Sequence, residues 1–286
     1  MILVTGAAGK TGTAVVKALA ARGARVRALV RRAESATAVK ALGAAEVVIG
    51  SFDDSGALAR AAAGARAIYH ICPNVSRDEI AFARNVVAAA QAQHVSRFVY
   101  HSVLHPQIEA MPHHWAKMRV EEMLFASGLE LTILQPAAYM QNILAAWRGV
   151  LDDGVFRVPY PVETRLSLVD LSDLADAAAV VLMNDGHAGA TYEIAGTGPL
   201  SQTEVAAAIG VVLGRTVRAE AETVDAWEAR ARAAGVGGHE RATLAAMFRY
   251  YAHYGLVGNP NALRWLLGRA AHDLAEFLGR VAGQEI

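Results

Sequence analysis

Apolar positions in the first half of the chain fall into two alternating rhythms. Short runs at Ile2 to Val4, Arg25 to Val30, Glu46 to Ile49, Ala67 to Ile71, Arg97 to His101 and Glu130 to Leu134 read as strands. Between them, Thr13 to Ala21, Ala36 to Leu42, Ser55 to Ala63, Asp78 to Gln93 and Trp115 to Ser127 read as helices, the first closed by Gly23. Runs as apolar as Ile2-Leu3-Val4 suit strands covered on both faces. Strand and helix in regular alternation predict a parallel sheet with helices on both sides.

The second half loses this rhythm. Gly149 to Pro161, with two prolines and two glycines, reads as loop. Leu166 to Val169 and Thr191 to Ile194 read as strands, Asp173 to Met183 and Gln202 to Leu213 as helices. From Val224 onward the pattern is mostly helical, broken at Gly235–Gly238 and Gly258–Pro260. The expected division is a sheet domain over residues 1–150 and a smaller, helix-rich, substrate-binding C-terminal subdomain over 151–286, with 165–195 returning to the core.

The segment Gly6-Ala7-Ala8-Gly9-Lys10-Thr11-Gly12 follows the first strand and opens the first helix. Glycine permits the tight turn, and helix-start N–H groups then face a pyrophosphate with help from the helix dipole. In this context the spacing predicts a Rossmann-type, doubly wound α/β sheet that binds a dinucleotide, with Thr5, Gly6, Gly9, Lys10, Thr11 and Gly12 as cofactor contacts. The second strand ends in Arg31 and Arg32, where an acidic residue would bind the free ribose of NAD. Guanidinium forks suit a 2′-phosphate, so NADP(H) is expected in preference to NAD(H). After the third strand, Phe52 is placed to cover an adenine ring, and Asp53 either joins it or caps the next helix.

Composition narrows the partners. Among 286 residues there are 27 basic and 27 acidic side chains, so no net field draws nucleic acid to the chain. At 54% hydrophobic and 19% charged the chain is expected to fold. No run of about 18 apolar residues predicts a membrane span. The opening MILVTGAAGKTG enters structure at once, leaving no room for a signal peptide, and the single Cys72 allows no intramolecular disulfide. The expectation is a cytoplasmic monomer or homodimer acting on a small molecule.

Taken together, TGAAGKTG, ALVRR, FVYHS, HHWAK, SGLELTILQPAAYMQN and LVDLSDLADAA resemble the NmrA-like group of atypical short-chain dehydrogenases/reductases over essentially the whole chain. That group contains NAD(P)H-dependent reductases of quinones, dyes and other conjugated compounds, and cofactor-binding regulators with no known reaction. Short-chain dehydrogenases place Tyr-x-x-x-Lys on one helix face, the lysine holding the nicotinamide ribose. The matching residues here are His113-His114-Trp115-Ala116-Lys117. The resemblance implies Lys117 as ribose ligand and His113 as a proton donor near the substrate, or else a helix-entry histidine after Pro112. It implies cofactor contacts at Ser102 and Pro136, and at Cys72 and Pro73 unless Cys72 is an inert buried thiol. It puts Tyr139 and Asn142 in the substrate pocket, with Tyr139 a second candidate acid. Val103 and Leu104 follow Ser102, so the usual serine–tyrosine–lysine triad is absent. His101, His105, His113 and His114 lie close together without a cysteine, and no metal is expected.

The leading expectation is an NADPH-dependent reductase of a quinone, enone, ketone or other conjugated compound. The alternative is a non-enzymatic NADP(H)-sensing regulatory protein. A sugar epimerase is disfavoured, because oxidation of a hydroxyl needs the missing tyrosine base.

Overall fold

The structure is a computed structural model and describes residues 1–283. The chain opens with β1 (Ile2–Val4), α1 (Lys10–Ala21), β2 (Val26–Val30), α2 (Glu34–Ala41), β3 (Glu46–Ile49), α3 (Ser55–Ala62), β4 (Ala67–His70), α4 (Glu79–Ala92), β5 (Arg97–His101), α5 (Pro112–Phe125) and β6 (Glu130–Pro136). There follow β7 (Ala138–Tyr139), a 3₁₀ turn (Met140–Ala146), α6 (Trp147–Asp153), β8 (Val155–Val158), β9 (Leu168–Val169), α7 (Leu171–Met183) and β10 (Thr191–Ile194). The remainder is α8 (Gln202–Leu213), β11 (Arg218–Ala221), α9 (Val224–Ala233), α10 (Gly238–Tyr254), α11 (Asn261–Leu267) and α12 (Leu274–Ala282).

Two compact units result. Unit 1 comprises residues 1–107, 113–135 and 174–192; unit 2 comprises 108–112, 136–173 and the described residues from 193 to 283. The chain passes from unit 1 to unit 2 between Gln135 and Pro136, at the last residue of β6, and of 165–195 the stretch Leu174–Tyr192 belongs to unit 1.

The seven-stranded sheet runs β10-β6-β5-β4-β1-β2-β3, and β1 to β6 pair in parallel. β1 pairs with β2 on one side and β4 on the other, so strand order reverses beside it. In open α/β sheets that reversal leaves a crevice at the carboxyl ends of the strands where ligands bind. β1, β4 and most of β5 and β6 are buried, as continuous apolar strands covered on both faces must be. Leu3, Ile68, Phe98, Tyr100 and Ile133 form the core with Leu58, Val86, Val120 and Leu124 from the helices. At the free edge, β3 carries Glu46, which pairs with Arg25 and Arg27 and keeps that edge charged.

In unit 2, β7 pairs with β9 and β8 with β11, both in parallel. The expected loop at Gly149–Pro161 is instead α6 followed by β8. Val155, Phe156 and Val158 are buried while Arg157 is exposed, and the partner strand begins only at Arg218. That distant pairing fixes as strand a segment whose prolines and glycines read locally as loop. Among the described residues no helix is long and apolar enough to cross a membrane.

Candidate active site

The glycine loop leaves β1 at the strand-order reversal. Thr5 is fully buried, and its Oγ1 lies 2.9 Å from His70 Nδ1 and accepts from the Ile71 N–H at 3.1 Å. Its hydroxyl thus ties the loop to the end of β4. Gly6 has φ +57°, and a Cβ there would sit 2.7 Å from the Ile71 carbonyl oxygen. A Cβ on Gly12 would sit 2.2 Å from the Gly6 oxygen. The chain itself therefore requires both glycines.

Gly9 differs. It caps α1 with φ −79° and ψ 166°, which any residue adopts, and its Cβ would meet only the Gly6 oxygen, at 3.4 Å. Nothing in the protein demands glycine there, whereas a ligand lying against the backbone would. Gly9 has no side chain to cap the helix start. Lys10 is exposed beside it and Thr11 is buried. An open backbone at an uncapped helix N-terminus fits a pyrophosphate.

Arg31 and Arg32 follow β2 and are exposed. Among the described residues their side chains make no hydrogen bond or ion pair. Arg27, on the same strand, binds Glu46 at 2.7 Å and the carbonyl oxygens of Ala61 and Ala63. Two unengaged guanidinium groups at this strand end fit a 2′-phosphate. The Phe52 ring is held at 5.3 Å from Phe82 and edge-on to His70 at 5.5 Å. The helix-capping alternative for Asp53 is corrected: Asp54 accepts from the Ala57 N–H at 2.8 Å, because it and not Asp53 is the residue immediately before α3. Asp53 is exposed.

Lys117 projects from α5 into a buried polar cluster. Its Nζ donates to Glu79 Oε1 at 3.0 Å and to the His101 carbonyl at 3.2 Å, and lies 5.3 Å from the centre of the Tyr100 ring. Tyr100 donates its hydroxyl to the same Glu79 oxygen at 2.8 Å. Burial alone would raise the Glu79 carboxyl, but the Lys117 ammonium and the two hydrogen bonds hold it below the usual range.

One turn before Lys117, His113 stands edge-on to His114 at 4.5 Å, and its Nδ1 is buried without a hydrogen-bond partner. Burial, reinforced by the Lys117 charge, pushes its pKa down to about 4. At neutral pH the ring is therefore neutral: it offers one N–H, not the acidity of an imidazolium. Ser102 is buried and donates to Glu121, which also accepts from Gln135 at 3.0 Å and 3.1 Å. Cys72 is buried and its thiol is pushed up by burial, the state of an inert thiol; Pro73 is exposed.

In unit 2, Pro136 is buried at the end of β6, Tyr139 is half-buried in β7, and Asn142 is exposed in the 3₁₀ turn. Gln141 between them bonds to Asp170 at 3.0 Å. Among the described residues, no three His, Cys, Asp or Glu side chains are grouped to hold a metal. The sequence reading missed Glu79, Tyr100, Glu121 and Gln135. Only Glu121 carried a signal, four residues past Lys117 and so on its helix face.

Residues 1–279 match the NmrA-like family. An NAD(P)H azoreductase of Xenophilus azovorans is 31% identical over 284 residues, covering 97% of this chain and 96% of its own. Quinone oxidoreductase 2 of Escherichia coli is 31% identical over 219 residues, 76% of each chain. The NADPH complex of an NADPH-dependent quinone oxidoreductase from Escherichia coli superposes with a TM-score of 0.87 at 28% identity, covering 99% of this chain and all of that one.

Proposed function

From the premise that the chain belongs to the NmrA-like family, we propose that it is an NADPH-dependent reductase of quinones and other conjugated small molecules. The backbone at Gly9, Lys10 and Thr11 holds the pyrophosphate, Arg31 and Arg32 the 2′-phosphate, Phe52 the adenine side, and Lys117 the nicotinamide ribose. When bound, NADPH supplies the hydride. The protein orients the reacting groups.

The observation that carries the acceptor class is the neutral His113 at the position of the missing phenol. No side chain of α5 supplies a strong acid there. A simple ketone needs a proton as its alkoxide forms, and it is poorly served by a neutral imidazole. A quinone spreads the incoming charge over its own oxygens and takes its proton from water. Tyr139 and Asn142 of unit 2 are assigned to acceptor recognition on the family resemblance.

The test is NADPH oxidation with matched panels of quinones, azo dyes, enones and unactivated ketones. Quinones or azo dyes should be reduced and simple ketones should not. Turnover of simple ketones alone would overturn the assigned acceptor class. Failure with every acceptor, despite tight NADPH binding, would favour a cofactor-sensing role.

A further inference from the structure

In unit 1 the Lys117 ammonium is fixed by two acceptors from outside its own helix, the Glu79 carboxylate of α4 and the His101 carbonyl of β5. Glu79 is itself fixed by Tyr100, whose hydroxyl shares the same oxygen. An ammonium has three N–H donors. Two are taken within the protein, and their directions set that of the third. Building on the assignment of Lys117 to the nicotinamide ribose, we infer that Glu79 is a positioning residue for cofactor binding: its carboxylate is the direct counter-charge of the buried Lys117 and aims the remaining N–H at the ribose.

The surroundings explain why a carboxylate is needed. The Lys117 side chain is 13% exposed and Glu79 5%. The titratable groups that feel this ammonium besides Glu79 are His70 on β4, Cys72 just after it, His101 on β5, and His113, His114 and Glu121 on α5. Burial keeps the four histidines and the thiol uncharged. It also raises the Glu121 carboxyl, which is turned to Ser102 and Gln135. Glu79 is thus the carboxylate that balances Lys117 by direct contact. A buried ammonium deprived of its counter-charge releases its proton more readily.

The test uses the full chain and NADPH fluorescence titrations between about pH 6 and about pH 9, a range in which an uncompensated buried lysine titrates. Variants are Glu79→Gln, Glu79→Asp, Lys117→Met and the pair Glu79→Gln/Lys117→Met, each checked for folding by circular dichroism. Glu79→Gln should weaken NADPH binding about tenfold at neutral pH, with the loss growing as pH rises. Glu79→Asp, which keeps the charge, should bind more weakly while retaining the wild-type pH profile. In the Lys117→Met background Glu79→Gln should change affinity little, because its effect runs through the lysine. Wild-type affinity and pH profile in Glu79→Gln, or the same added loss in both backgrounds, would overturn the inference. Should Glu79→Gln alone fail to fold, Glu79→Asp and the charge-free double variant decide it: a pH-dependent loss in Glu79→Asp, or weaker binding by the double variant than by Lys117→Met, overturns it. Wild-type affinity in Lys117→Met would instead remove the lysine's cofactor role and the inference with it. Loss in Lys117→Met beside an unaffected Glu79→Gln would remove the inference alone.

Discussion

Ser102, the residue after β5, donates its hydroxyl hydrogen bond to Glu121 on α5, four residues past Lys117. Gln135 from β6 donates to the same carboxyl, which burial raises above its usual range. The hydroxyl therefore joins strand to helix. Ser102→Ala should cost about 1–3 kcal/mol in urea unfolding, the penalty for leaving a buried acceptor underbonded. NADPH affinity should hold within about twofold, since the hydroxyl is turned toward the helix. A fall in affinity with stability unchanged would place Ser102 on the cofactor.

Burial pushes His70 and His113 down to about 4, His114 to about 3 and His101 well below its usual value. The unfolded chain takes up protons at these rings near pH 6.5, while the folded chain keeps them neutral. Their contribution to stability is therefore complete above about pH 6.5 and is lost as pH falls toward about 4. The urea midpoint should drop as pH falls from about 6.5 to about 5, and less steeply when His113 and His114 are both glutamine. An unchanged midpoint across that range would contradict the burial of neutral histidines.

The glycines of the loop should separate by role. Gly9→Val should leave a folded chain, because its backbone angles and surroundings accept a side chain, yet lose NADPH binding by on the order of a hundredfold or more. Gly12→Val should fail to fold, because its Cβ would lie 2.2 Å from the Gly6 oxygen. Circular dichroism and calorimetry on both variants check this. NADPH binding retained in Gly9→Val would move the pyrophosphate off the loop.

The sheet was legible because β1, β4 and β5 are apolar runs and their connections are helical, so local sequence and burial agree. β8 was not legible: what makes Val155–Val158 a strand is Arg218–Ala221, some sixty residues on. Of the candidate site, the glycine spacing and the Arg31–Arg32 pair are visible in the sequence because both are local patterns. Glu79 is not. An acidic residue at a helix start is ordinary, and its contact with Lys117 exists only once α4 and α5 both pack against the sheet.

The neutral His113 should matter according to acceptor. His113→Ala should leave NADPH affinity and quinone turnover within about threefold of wild type. Any enone or ketone turnover should fall by up to about a hundredfold, through loss of the imidazole N–H. Equal losses with both acceptor classes would mean that the ring positions the cofactor or supports the fold.

The proposed reductase reads NADPH through Arg31 and Arg32 and passes its hydride to a conjugated acceptor. The most direct measurement is quinone reduction by the wild type with NADPH and with NADH, repeated for Arg31→Ala and Arg32→Ala. Loss of one guanidinium–phosphate contact is worth about 1.5–3 kcal/mol, so kcat/KM for NADPH should fall at least about tenfold in each variant. NADH, which lacks the phosphate, should be the poorer donor for the wild type and should change little. Equal use of NADH and NADPH by the wild type, or variants that lose both alike, would contradict the account.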